Sequence, residues 1–477
     1  MSGTITINST DLANAIKPQL LQMPEITQQP YSYIIWTDGT NYYAKNGKTG
    51  QIDFSGTDAV SVINNAISTA SNQGGGIILI KAGTYPVDNV IYMKSNVSLI
   101  GEGESTKLVR QNVANTNSAY KYVVIRADNV SNIRIENLAI DGNKNNLPWT
   151  GDRGDYSLIS LHAPRNAIIN KVYLSNVRGG VILDVGYGFG VRITNSVIIN
   201  GGDSDALCDA IHMFETDYAI VTNNIIGHVT DVGTAIENGF YAVVHGNIYE
   251  SCSIAGVAFY NRDDSATPPI FAVITNNIIV GSRWDVWIGN APGTTHIPES
   301  VIIANNELRT GTRGIYINGG SIITIANNMI RYQGGGNASI ELNNTFEVQI
   351  LNNLMTDAQY GILFGSNNSW TRIYGNRFLA ITTPISGSAS PMLIKHNIGY
   401  TTENGGIATF SGDGATTQFN IAHGLVSTPS KILITPGSND AKGTFYATAD
   451  ATYIYVNYAT APPTGTNNVV LYWYAEV

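Results

Sequence analysis

The chain has 477 residues, 43% of them hydrophobic and only 13% charged, about half the ~25% charge of an ordinary soluble domain. That is ample material for a core, and it excludes disorder. A net charge of −9 with no Lys/Arg cluster excludes nonspecific nucleic-acid binding, and no segment approaches the ~20 apolar residues of a membrane span.

Residues 1–50 read as an N-terminal extension. The opening, MSGTITINSTDLANAIKPQ, lacks the basic-then-apolar pattern of a signal peptide, which fits release by another route, as for a virion component. Within the extension, YSYIIWTDGTNYYAKNG predicts a hairpin. Next, Val62, Ile63, Ala66, Ile67 and Ala70 recur at helical spacing behind Thr57 or Asp58 as N-cap, predicting an amphipathic helix over 58–71. Such a helix would cover an open backbone edge that otherwise invites pairing. The segment GGGIILIKAGTYPVDNVIYMKSNVSLIGEG follows, from Gly74 to Gly103.

From about residue 130 a phrase repeats: an apolar-alternating segment ending in Asn-Asn or a close variant, as in RITNSVI, VTNNIIG, ITNNIIV, IANNMIR and ILNNLMT. Its anchors fall at 137, 171, 196, 224, 247, 277, 306, 328, 353, 376 and 397, with steps of 21–34 residues. That is the period of one coil of a parallel β-helix with occasional insertions. A Leu-rich consensus is missing and β-branched residues dominate. The expected fold is therefore all-β, a right-handed single-stranded parallel β-helix of 11–12 coils over residues 51–402. Equivalent positions stack about 4.8 Å apart, so the asparagines should form ladders of side-chain amides.

A second strand precedes the anchors: GVILD, AIHMF, GTAIE, GVAFY, DVWIG, GIYIN, SIELN and GILFG, starting at 180, 210, 233, 256, 285, 314, 339 and 361. Its second and fourth positions should point inward, its third and fifth outward. The third-position column is then Ile182, His212, Ala235, Ala258, Trp287, Tyr316, Glu341 and Leu363. The fifth is Asp184, Phe214, Glu237, Tyr260, Gly289, Asn318, Asn343 and Gly365. Cys208 and Cys252 lie two coils apart, about 10 Å, beyond the ~7 Å reach of a disulfide. After Tyr400 the pattern changes to short alternating strands with turn clusters, predicting a β-sandwich over 403–477.

The run from Asp58 to Gly103 resembles the opening of the pectate-lyase-like superfamily, the pectin-lyase fold. The matching features are a helix ending in small residues, Gly-Gly-Gly, an apolar strand, Ala-Gly-Thr-Tyr and Leu-Ile-Gly-Glu-Gly. The resemblance spans residues 50–400 and implies a fold rather than one activity, since the superfamily includes lyases, glycoside hydrolases, epimerases and phage tailspikes. The C-terminal region resembles modules of phage-tail and surface β-helix proteins, which implies glycan binding or a homotrimer. It also implies a place outside the cell or on a virion surface.

The outward columns hold the chemistry. Asp184 and Glu237 share a column two coils apart, a spacing from which side chains can reach the ~6.5–9.5 Å of inverting glycosidases. His212 between them can orient a carboxylate or shuttle a proton. Asp203, Asp205, Asp209 and Asp231 lie on turns entering the same strands, and like charges at Asp209 and Asp231 would raise one pKa, as a general acid needs. Asp also caps turns at strand entries, so each is open to that plainer role. Tyr260, Trp287 and Tyr316 on consecutive coils can stack sugar rings or pack beneath inserted loops at 262–271 and 290–300. Arg153, Arg262, Arg283 and Arg313 are candidate carboxylate binders or bases. Asp141, Asn143, Asn145 and Asp152 have calcium-loop spacing but lack the sixth-place glycine; no cofactor is otherwise expected.

Against the polygalacturonase pattern, Asp209 matches the second Asp of the Asp-Asp pair, but Cys208 replaces the first. Arg178-Gly179, Asp231-Val232-Gly233 and Val257-Ala258-Phe259 stand where other signatures belong. The expectation is a glycoside hydrolase acting on a neutral or weakly charged polysaccharide. Asp209 or Glu237 would be the acid, Asp184, Asp231 or Asp205 the base, and His212 a support, with Tyr260, Trp287, Arg313 and Tyr316 binding substrate. The alternatives are a polysaccharide lyase and a non-catalytic tail-fibre or adhesion protein.

Overall fold

The computed structural model describes residues 31–115, 120–262, 270–290, 296–332 and 337–477. Residues 1–30, and residues 263–269 and 291–295 of the two inserted loops expected at 262–271 and 290–300, lie outside the described residues. The predicted hairpin pairs Tyr33–Thr37 with Tyr42–Asn46 and continues to Ile52–Gly56. Asp38 closes its turn by accepting the N–H groups of Thr40 and Asn41. The hairpin is not separate from the coils, because Tyr33–Thr37 pairs in parallel with Gly76–Ile80.

The helix forms over Ala59–Asn72, and of the two N-cap candidates Asp58 is the one used, accepting from Val60 and Ser61. Its apolar face (Val62, Ile63, Ala66, Ile67, Ala70) is buried and covers the first coil. The coils then climb as a parallel solenoid of about 12 turns. One inward column runs through Leu183, Ile211, Thr234, Val257, Val286, Ile315, Ile340 and Ile362, all fully buried.

The Asn-Asn pairs divide their labour. The first residue of each pair (Asn223, Asn276, Asn305, Asn327, Asn352) takes the left-handed conformation, φ 55–57°, which Asn tolerates better than most residues. The second builds a buried ladder through Asn224, Asn247, Asn277, Asn306, Asn328, Asn353, Asn376 and Asn397. At each rung, as at Asn277, the backbone N–H and side-chain amide both donate to the next Asn Oδ1 (2.9 and 3.0 Å), and the amide also donates to a carbonyl, here Val244. The ladder does not extend to the first anchors: Asn137 and Lys171 occupy the left-handed position, with apolar Leu138 and Val172 buried beside them.

Beyond Glu403 two three-stranded antiparallel sheets form. Gly465–Glu476 runs between Glu403–Gly412 and Lys431–Pro436, and Tyr453–Tyr458 between Gln418–Ala422 and Phe445–Ala449. They enclose their own core of Phe419, Ile421, Ile454, Val456, Tyr458, Val469 and Leu471. Lys395 of the last coil pairs with Glu476 at 3.4 Å, tying coil to sheet.

Candidate active site

Observed strand pairing corrects the expected register at one coil. Leu183 pairs with Ile211 and Asp184 with His212, so the first strand slides two residues and Ile182 is buried rather than outward-facing. Asp184 therefore shares a column with His212, while Glu237 follows Phe214 in the next one. The outcome is a tighter cluster than the expected one. His212 Nδ1 lies 3.2 Å from Asp184 Oδ1, and Nε2 lies 3.2 Å from Glu237 Oε2. One imidazole spans two carboxylates on flanking coils.

Burial alone would strip the proton from His212, but hydrogen bonds to Asp184 and Glu237, with the charges of Asp184 and Asp209, outweigh it. They push its pKa up to about 10. Glu237 is 1% exposed. Burial would raise its pKa, yet the hydrogen bond and charge of His212, Arg262 and the Tyr260 hydroxyl hold it below the ordinary range. Tyr260 donates to Glu237 Oε2 at 3.0 Å, and Arg262 approaches at 3.5 Å. A buried carboxylate so committed is a poor proton donor, and its Oε2 holds the His212 ring from one side. Asp184, with a side chain 34% exposed, faces a cleft of about 520 Å³ lined by His162, Asp184, Tyr187, His212, Phe214, Glu237 and Arg262.

A second carboxylate pair stands beside the first. Arg153, carried on the short turn Arg153–Asp155, reaches Asp209 (Nη2–Oδ2, 2.9 Å) and Asp231 (Nη1–Oδ2, 3.1 Å). Asp209 also accepts the Val232 N–H at 3.0 Å. Burial, then the neighbouring Asp231 charge, push the Asp209 pKa up against the pull of Arg153. Asp231 is raised by burial as well. Asp205 does not join this group: its side chain is 55% exposed and pairs with Arg178 at 2.9 Å, as Asp203 does at 3.2 Å. It lies outside the lining of the cleft, where the expected base role would place it.

The aromatic residues form a packed cluster rather than a flat row. Tyr260 stacks on Trp287 (4.8 Å, 17°), and Trp284 tilts against both Trp287 (5.5 Å) and Tyr316 (5.1 Å). The small residues Ala235 and Ala258 leave a shelf beneath them. Arg313 lies over the Tyr316 ring and is paired with Glu341. This packing occupies the ring faces that the aromatics turn toward one another. Elsewhere, Asp141 is taken by Lys107 (2.8 Å) and by donors from Asn143 and Asn176, and Asp152 caps Gly154. Among the described residues no three His, Cys, Asp or Glu side chains gather as a metal group. Cys208 and Cys252 are free and buried.

No protein-family model matches the sequence, and comparison with curated proteins gives no match either. Solved structures do match. The A-module of the mannuronan C-5 epimerase AlgE6 of Azotobacter vinelandii has a TM-score of 0.60 at 16% identity, covering 72% of this chain and 95% of that one. A tailspike of E. coli bacteriophage HK620 in complex with a hexasaccharide has a TM-score of 0.53 at 12% identity, covering 88% and 89%. PfbA, a surface adhesin of Streptococcus pneumoniae, has a TM-score of 0.55 at 15% identity, covering 74% and 94%. This chain has the pectate-lyase-like parallel β-helix fold. Within that fold the cleft lies on the outer face of the strands preceding the Asn anchors.

Sequence reasoning found Asp184, His212, Glu237, Asp209 and Asp231 but missed His162, Tyr187, Phe214 as a cleft wall, and Trp284. Tyr187 packs edge-on against both His162 and Phe214. A signal existed: aligning the pairs Ile125/Ala127, Ile159/Leu161, Leu183/Val185 and Ile211/Met213 as inward residues yields the true register.

Proposed function

We propose that this chain binds a polysaccharide along the outer face of its β-helix and cleaves it at the cleft beside His212, as a glycoside hydrolase. The observation carrying this reading is the His212 bridge, which fixes a cleft-facing carboxylate, Asp184, in one orientation. Asp184 is the base that activates water. Asp209, whose pKa is pushed up to about 6 by burial and the Asp231 charge, is the acid that protonates the leaving oxygen. His212 and Glu237 position the base. The tailspike bound to a hexasaccharide and the epimerase share the fold, which supports a glycan as the ligand. Tailspike and surface-adhesin neighbours likewise support a place outside the cell or on a virion, and the resemblance of the C-terminal region to phage-tail modules supports a homotrimer.

A second reading, elimination by a polysaccharide lyase, is favoured by one feature: Arg262 has a side chain 66% exposed at the cleft, next to Tyr260 and Glu237. A basic group there would suit a lyase. The test is incubation with neutral and acidic polysaccharides, following reducing ends and ultraviolet absorbance together. Reducing ends without absorbance, lost in Asp184→Asn and Asp209→Asn while glycan binding persists, is the expected result. Absorbance from a new double bond would replace the hydrolase by a lyase. Silence across the panel with binding retained would make the protein a non-catalytic receptor binder.

A further inference from the structure

The corrected register exposes a longer polar row than the cleft needs. Upstream of Asp184 the same column holds Ser160 and Arg126, paired rung by rung. Arg126, only 7% exposed, donates from Nη1 to Ser160 Oγ at 2.7 Å. Ser160 in turn donates to Asp184 Oδ2 through a longer 3.5 Å contact. Asp184 Oδ1 then meets His212, which meets Glu237, which meets Tyr260 and Arg262. The charges alternate strictly, Arg126 positive, Asp184 negative, His212 positive, Glu237 negative, Arg262 positive, with Ser160 as a neutral spacer.

Arg126 is itself fixed on three further sides. Its Nε donates to Asp128 at 2.8 Å, its Nη2 donates to the Tyr120 hydroxyl at 3.0 Å, and its guanidinium lies 4.0 Å over the Tyr120 ring. A planar fork held this way cannot swing, and lysine cannot reproduce it. The row therefore has an anchored end two coils upstream of Asp184.

We propose that Arg126 and Ser160 are positioning residues that lock Asp184 onto His212, so that the orientation and protonation of the cleft pair are set from two coils upstream. This rests on reading the cleft as the functional site, but the locking itself is a property of the unliganded chain. Asp184 has two oxygens. If one is tethered by Ser160, the other is presented to His212. If the tether is cut, the carboxylate turns toward the solvent-filled cleft and the imidazolium loses a partner. The groups that face His212 are Asp184, Glu237 and Asp209, and only the first is touched by this tether.

The test is a pH titration of His212 in the full chain, by NMR of ring-labelled histidine, with the His212→Gln protein identifying its signal among the 7 histidines. Ser160→Ala and Arg126→Lys both retain the charge of the row while breaking its geometry. Each is expected to lower the His212 midpoint by about one unit, a tenfold loss of proton affinity. Ser160→Ala removes a single oxygen, so it stays informative if Arg126→Lys fails to fold. Unchanged midpoints in folded variants would overturn the proposal. Where the wild type cleaves a glycan, the same variants should lower kcat with KM unchanged. If no glycan is cleaved, the functional reading fails while the titration still decides the positioning role.

Discussion

A ladder and a row of side chains run along this β-helix at one residue per coil, the row stepping from the His212 column into the next at Glu237, and they follow different rules. The buried Asn ladder repeats one residue type from Asn224 to Asn397. This works because a carboxamide both donates and accepts, so identical copies satisfy one another. The outer row from Arg126 to Arg262 cannot repeat, because like charges stacked one rung apart would repel. It must alternate. The ladder thus stabilises the fold and says nothing about function. The row leaves a charged, partly open cleft whose members depend on their neighbours.

The largest effect is expected from breaking the ladder. Asn306→Leu deletes bonds to Asn277, Asn328 and the Ile274 carbonyl and strands buried partners. It should cost about 3–5 kcal/mol, seen as a lower urea midpoint. Next comes the row itself: Glu237→Gln leaves the His212 charge with one carboxylate instead of two, and a loss of about 2–4 kcal/mol is expected, checked by the same denaturation.

The row also makes stability depend on pH. The folded-state pKa of His212, about 10, lies above its ordinary value of 6.5. Its stabilisation is fully present below 6.5 and is lost as pH rises through 10. Wild-type Tm should fall over that range, and the fall should be shallower in His212→Gln.

Asp285 sharpens the contrast from the opposite side. It is fully buried, neither carboxyl oxygen has a hydrogen-bond partner among the described residues, and burial pushes its pKa well up. A proton retained in the fold but released by the unfolded chain weakens the fold as pH rises above the ordinary Asp value. Asp285→Ser, matching Ser339 two coils on, should raise stability by about 1–3 kcal/mol at neutral pH. The smallest effect is expected for Tyr260→Phe, which removes one of several bonds to Glu237. About 1 kcal/mol is lost, seen in the same denaturation.

The same contrast explains what the sequence could disclose. Asn-Asn recurs at a fixed place, so the coils, their period and the amide ladder follow from spacing alone. The helix over 58–71 is a local pattern and equally legible, with its cap narrowed to Thr57 or Asp58. The row has no recurring residue, so its register had to be inferred from apolar alternation, and Gly180-Val181-Ile182-Leu183 fits that alternation in two frames. The choice of frame decided whether Asp184 faced His212 or sat one column away. Arg153 reaches Asp209 and Asp231 across 56 and 78 residues, a contact that no local spacing encodes. The aromatic cluster was visible as residues but not as a packing unit, because the Ala235–Ala258 shelf matters only once the strands are side by side.

The central claim is that a glycan is acted on at the His212 bridge, and a crystal structure of Asp184→Asn with an oligosaccharide bound by the wild type tests it most directly. The account predicts a sugar within hydrogen-bond reach of position 184 and Asp209, resting against Tyr187 and the outer side of the Tyr260–Trp287 cluster. A sugar bound only to the two C-terminal sheets, with the cleft empty at saturating oligosaccharide, would contradict it.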